Sequence, residues 1–108
     1  MFNLFSSPAK DYSSLSGREF KEKFLNTKKP VLIDVRTASE YSSGTIKGSK
    51  NIDIMSPRFK DAISKLDKTV EYFIFCRSGG RSAQACSIMA KEGFKVNNLK
   101  GGVGEWPQ

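Results

Sequence analysis

Two short apolar runs, each followed by a turn and then by a segment of helical period, constrain this chain more than any other feature. Val31-Leu32-Ile33-Asp34-Val35 and the stretch 70–76 are rich in β-branched and aromatic residues and lack the alternation of a half-solvated strand. Such runs form strands covered on both faces, the condition of a parallel sheet, and parallel strands need long crossovers. The segments between them supply those. Ser16-Gly17-Arg18-Glu19 has the spacing of a capping box and is followed by Phe20, Phe24 and Leu25, which predicts a first helix over Gly17–Asn26. Lys29-Pro30 ends it, and the run 31–35 follows as the expected central strand. Thr37 or Ser39 caps a short helix that holds Glu40 and Tyr41 and ends at Gly44, and 51–54 reads as a brief strand. Pro57 opens a helix with the stripe Phe59, Ile63 and Leu66. In the second half, strand 70–76 leads through Arg77-Ser78-Gly79-Gly80 into a helix over 82–92, whose apolar positions are Ala85, Cys86, Met89 and Ala90. Gly93 caps its end, and a last strand covers 95–99. Alternating strands and helices place the chain in the α/β class, with a mostly parallel sheet and helices on both faces.

At 108 residues the chain makes one domain, expected over 12–108 behind a flexible leader, 1–11. That leader has neither a basic n-region nor an apolar h-region, so a cytoplasmic location is expected. The longest apolar run, Tyr72-Phe73-Ile74-Phe75-Cys76, is far short of the roughly 20 residues of a membrane span, so no membrane partner is expected. The chain has no histidine, which excludes imidazole bases and His-containing zinc sites, and two cysteines cannot make a four-thiolate site. No metal or cofactor is therefore expected. Without an export signal, Cys76 and Cys86 are expected as free thiols. The net charge of +7 comes mostly from lysines spread from Lys10 to Lys100 with acids among them. No basic block appears, so the reading is a solvated basic surface that attracts small anions, with no nucleic-acid partner.

Ligands of parallel α/β folds gather where strands end and helices begin. At that place stands Cys76-Arg77-Ser78-Gly79-Gly80-Arg81-Ser82. Two adjacent glycines let successive N–H groups converge on one point, and an unpaired helix N-terminus adds its own. The cradle suits an anion, either a substrate or the Cys76 thiolate. At an ordinary pKa of about 8.5 only about 3% of a thiol is ionised at pH 7; a pKa of about 6.5 ionises about three quarters, a change of roughly 2.7 kcal/mol. A helix end supplies about 0.3–1 kcal/mol, so loop hydrogen bonds and Arg81 must supply the rest.

This loop resembles the active-site loop of the rhodanese-like sulfurtransferases. Leu32-Ile33-Asp34-Val35-Arg36, Glu40-Tyr41, Gly44-Thr45-Ile46-Lys47-Gly48-Ser49 and Asn51-Ile52 look like the family's first half. Phe75 through Ser82, Gly93-Phe94, Leu99-Lys100-Gly101-Gly102-Val103 and Trp106 look like its second, and the likeness runs over about 12–106. It implies a rhodanese-like three-layer sandwich with a mostly parallel sheet of about five strands. It also implies a thiosulfate-type sulfurtransferase in which Cys76 attacks the outer sulfur of a donor such as thiosulfate and holds it as a persulfide. A thiophilic acceptor, small molecule or protein thiol, then collects the sulfur. Arg77, Ser78, Gly79, Gly80, Arg81 and Ser82 would bind the anionic donor, with either arginine able to face inward.

Other readings of the same residues stand beside this one. Cys86 lies on the inward stripe of its helix and reads as core. Asp34 and Arg36 read as a buried pair at the strand end, which Glu40 can join, and Trp106 as a hydrophobic lid. Cysteine phosphatases use a related cradle with Cys-x5-Arg, but here four residues separate Cys76 from Arg81, and Ser82 holds the phosphatase arginine position. A carrier or non-catalytic module that binds anions or delivers persulfide sulfur to one protein would share these features. The family pattern often has histidine where this chain has Thr45, a local departure from type.

Overall fold

The computed structural model describes residues 12–107. The expected leader at 1–11 lies outside them. Five strands, β1 (Ser13–Leu15), β2 (Pro30–Asp34), β3 (Lys50–Asn51), β4 (Glu71–Phe75) and β5 (Lys95–Leu99), form one sheet in the order β1-β5-β4-β2-β3. Every pairing is parallel. The helices are α1 (Gly17–Asn26), α2 (Ala38–Ser42), α3 (Phe59–Ser64) and α4 (Gly80–Lys91), and a 3-10 turn spans Val103–Glu105.

Side chains that alternate across a strand divide the core into two layers. On one face Ile33, Tyr72, Ile74, Cys76 and Val96 pack with Phe59 and Ile63 of α3 and with Ala85, Cys86 and Met89 of α4. On the other, Leu32, Phe73, Phe75 and Leu99 pack with Phe20 of α1, and Phe24 and Trp106 close the edge. The sheet thus has helices on both faces. Each large side chain so buried is worth about 1.5–3 kcal/mol, and β4, buried on both faces from Tyr72 to Phe75, takes the largest share.

Several boundaries differ from expectation for local reasons. The run at 31–35 is interior but not central: β1 adds to the far side of β5 and moves the centre to β4. β1 is short and polar, Ser13-Ser14-Leu15, and offers no apolar signal. β3 is only two residues long, although Ile52 N–H donates to the Asp34 carbonyl (3.0 Å) and Ile54 N–H to that of Val35 (3.1 Å), so the chain stays beside β2. α4 begins at Gly80, ahead of the expected start, because Gly79 takes a left-handed conformation (φ +102°) as its N-cap.

The capping box of α1 forms, with Glu19 N–H on Ser16 Oγ at 3.2 Å and Ser16 N–H on Glu19 Oε1 at 3.0 Å. Next to that cap, Gly17 is buried, and a Cβ there would overlap the carbonyl of Glu105. Alanine favours a helix over glycine by about 1 kcal/mol, yet Gly17→Ala is expected to lower stability by about 1–3 kcal/mol through overpacking. A lower urea midpoint with unchanged slope checks this.

Candidate active site

β4 delivers Cys76 to the carboxyl edge of the sheet, one residue past its end. The chain then turns through the left-handed Gly79 so that α4 starts over the sulfur. Cys76 Sγ accepts hydrogen bonds from Gly79 N–H at 3.0 Å, Ser82 Oγ at 3.3 Å and Ser82 N–H at 3.4 Å. Ser78 N–H adds a weaker contribution. Cys76 is fully buried. Burial alone pushes its thiol up, but the donors from Ser82, Gly79 and Ser78 outweigh it and hold the thiol below the ordinary range. Among the described residues the hydrogen bonds that favour the thiolate come from neutral groups.

The cradle rests on a second glycine turn. Gly102 has φ +88°, and a Cβ there would overlap the Arg77 carbonyl and lie 2.6 Å from Ser78 Cα, so only glycine lets the loop approach. Val103 N–H donates to the Cys76 carbonyl at 2.8 Å, which pins the turn to the end of β4. Gly79 itself would place a Cβ 3.1 Å from Gly101 N. Gly101 and Gly102 were visible in the sequence as a glycine pair, but their contact with the loop at 77–79 had no local signal.

The remaining loop residues divide by position. Ser82 is buried against the sulfur, and the Gly79 carbonyl, 3.1 Å from Oγ, shares its single hydroxyl proton with Sγ, whereas Ser78 and Gly80 are exposed. Arg81 makes no hydrogen bond to Cys76, although the two interact by charge. Its two terminal nitrogens donate to Glu40 Oε1 (2.7 Å) and Oε2 (3.0 Å). That pair, with help from Thr37, holds the Glu40 carboxyl down at about 2. Arg77 is exposed and has no ion pair among the described residues, so it is the loop arginine left open to an anion.

Asp34 and Arg36 form the buried pair expected at the end of β2: Arg36 Nε and Nη2 donate to the carboxylate at 3.0 and 2.8 Å, and Arg36 N–H adds a third bond at 3.0 Å. Glu40 makes no hydrogen bond to this pair, although its charge acts on Arg36; its carboxylate is bonded to Arg81 and to the Thr37 cap of α2. Thr45 Oγ1 donates to Asp34 Oδ2 at 2.9 Å. Cys86 is buried, and burial pushes its thiol far up. Trp106 packs edge-on against Phe20 and Phe24, with ring centres 6.0 and 5.8 Å apart. No metal-ligating cluster occurs among the described residues.

Because Ser82 Oγ is one of the donors that lower the Cys76 thiol, Ser82→Ala is expected to shift the inflection of its iodoacetamide reactivity to higher pH. The loss of one such bond should slow alkylation at pH 7 by about two- to tenfold. A profile identical to the native one would show that the bond does not stabilise the thiolate.

Comparison with known proteins identifies the family. A "Sulfurtransferase" of Allochromatium vinosum is 28% identical over 95 residues, covering 87% of this chain and 87% of that protein. A "tRNA uridine(34) hydroxylase" of Pelagibacter ubique is 40% identical over 83 residues, 75% of this chain but only 28% of the longer protein. The crystal structure of a rhodanese-like domain protein from Staphylococcus aureus superposes with a TM-score of 0.76 at 30% identity, covering 89% of this chain and 92% of that one. The family model described as "Rhodanese-like domain" matches residues 16–108, and the chain belongs to that family.

Proposed function

We propose that the chain is a sulfurtransferase that moves sulfane sulfur from an anionic donor such as thiosulfate to a thiophilic acceptor through a persulfide on Cys76. The observation that carries this reading is the convergence of Gly79 N–H, Ser82 N–H and Ser82 Oγ on one sulfur, at 3.0 to 3.4 Å. The Cys76 thiolate attacks the outer sulfur of thiosulfate. A new S–S bond forms to Cys76, the donor's S–S bond breaks, and sulfite leaves with its electron pair. Charge balances: a monoanionic thiolate and a dianionic donor become a monoanionic persulfide and dianionic sulfite. The donors that hold the thiolate can then hold the terminal persulfide sulfur.

Arg77 draws the dianion to the loop and accompanies the departing sulfite, whereas Glu40 neutralises Arg81. Cys76 is buried, so attack requires the exposed parts of the loop, Ser78 and Gly80, to yield enough room for one sulfur atom. A catalytic free thiol also suits a reducing compartment such as the cytoplasm.

Intact mass after incubation with thiosulfate tests the reading. The native protein is expected to gain one sulfur atom that cyanide removes, and Cys76→Ser to gain none. Hydrolysis of a phosphate ester without any sulfur adduct would overturn it in favour of phosphatase chemistry.

A further inference from the structure

The Cys76 persulfide needs a nucleophile from outside the core. Cys86 is buried with its thiol pushed far up by that burial, so it is neither exposed nor ionised to take the sulfur. Beside the active loop lies an open cleft of ≈ 370 Å³ that includes Arg36, Glu40, Gly44, Arg77 and Val103. A second, of ≈ 500 Å³, includes Gly44, Ile46, Lys47, Val103 and Trp106. They share Gly44 and Val103 and form one groove that starts at the residue after Cys76 and ends at Trp106. Each half falls in the range of about 300–1,000 Å³ that holds a drug-sized ligand, far more than a donor of a few atoms needs.

The charges in the groove are unevenly paired. Asp34 neutralises Arg36, and Arg81 neutralises Glu40. Arg77 at one end and Lys47 toward the other have no ion pair among the described residues. Lys21 adds positive charge beside the far end, its Nζ 5.3 Å from the Trp106 ring centre. Between the charged ends Val103, Ile46 and the half-buried indole of Trp106 form an apolar patch beside the polar Ser39, Ser43 and Thr45, and Phe20 and Phe24 pack edge-on against the Trp106 ring. Positive ends with an apolar middle complement an extended segment that has acidic side chains on either side of an apolar one.

We propose that this groove docks a protein acceptor, which lays an extended acidic segment along it. The segment sets a carboxylate on Lys47, an apolar side chain over Val103 and Trp106, and its cysteine at the Arg77 end. This rests on the sulfur-transfer reading above. The acceptor thiol gives its proton to solvent, and its thiolate attacks the outer persulfide sulfur. An S–S bond forms on the acceptor, the bond to Cys76 breaks, and the electron pair returns to Cys76 Sγ in its ring of donors. The persulfide sulfur stands one S–S bond, about 2 Å, beyond Sγ, which brings it nearer the acceptor than the buried thiolate is.

Trp106 is the chain's only tryptophan, so its fluorescence reports the groove directly. The probe is a short amidated peptide with glutamate, leucine and glutamate at every second position and glycine between them, so that in an extended chain all three face the groove, and with serine in the place of the acceptor cysteine. It is expected to change Trp106 fluorescence saturably, to bind more weakly as salt rises, and to bind about tenfold more weakly to Lys47→Glu. The same peptide with lysine for glutamate is expected to give no change, and Lys47→Glu is expected to take up sulfur from thiosulfate as the native protein does. An unchanged fluorescence with the acidic peptide, equal affinity in Lys47→Glu, or equal binding of the lysine peptide would overturn the proposal. The probe has no thiol, so failure of Cys76 to load sulfur would overturn the sulfurtransferase reading and leave this measurement standing.

Discussion

A buried sulfur that must carry negative charge without an imidazole beside it needs its stabilisation from hydrogen-bond donors, and donors act only if they converge. At Cys76 they converge because three separate backbone features coincide. β4 is buried on both faces and therefore fixed, so the sulfur it delivers has a defined position. Gly79 adopts a left-handed conformation, which starts α4 over that sulfur and not beyond it. Gly102 lacks a side chain at the point where the loop carbonyl of Arg77 passes it. If any of the three failed, the N–H groups would point elsewhere while the burial that raises the thiol remained. Burial and donors act in opposite directions on one atom, so the thiolate exists only while the geometry holds.

The arginines around the site follow from the same constraint. Arg81, in the first turn of α4, is tied by Glu40 in a two-pronged pair that also draws on the Thr37 cap of α2. A half-exposed pair of this kind contributes little to overall stability. Its effect is positional: α2, which contributes no fully buried residue of its own, is held to the helix that carries the sulfur's donors. The pair also removes one positive charge from competition for an anion and leaves Arg77 to act alone at the mouth. In the sulfur transfer proposed above, a dianionic donor is met at the rim by the exposed Arg77 and at the bottom by neutral N–H groups. Such a division favours fast release of a charged leaving group over tight binding of the donor.

Much of the fold was legible because the strongest signals were local. The capping box at Ser16 and Glu19 set the start of α1, Phe20 and Phe24 set its inner face, and the apolar run ending at Phe75 set the strand that proves central. What escaped was set by contacts between distant segments. Ser13-Ser14-Leu15 becomes a strand only because β5 offers a free edge, so no periodicity marks it. The ring on Cys76 was legible as a class, since a cysteine, two glycines and a helix start stand in one loop. Which arginine faced outward was not, because it depends on Glu40, forty-one positions away. Glu40 stays near enough to act on Arg36 by charge, but both its oxygens are bonded to Arg81.

The absence of histidine has a structural counterpart at Thr45. Its hydroxyl donates to Asp34 Oδ2 and lies 2.8 Å from Ser49 Oγ, so the carboxylate that Arg36 clamps is also served from the far side by a group that does not titrate near neutrality. Around the sulfur, Glu40 stays ionised down to about 2, burial keeps Cys86 protonated, and no imidazole exists to change charge between them. Cys76 is then the group whose ionisation the loop itself brings down, below the range of an ordinary thiol. A rhodanese domain with a histidine near this pair would couple a second proton to the same network. With a threonine there, the charge state of the site follows the thiol alone, and the geometry of Gly79, Ser82 and Gly102 decides where that thiol ionises.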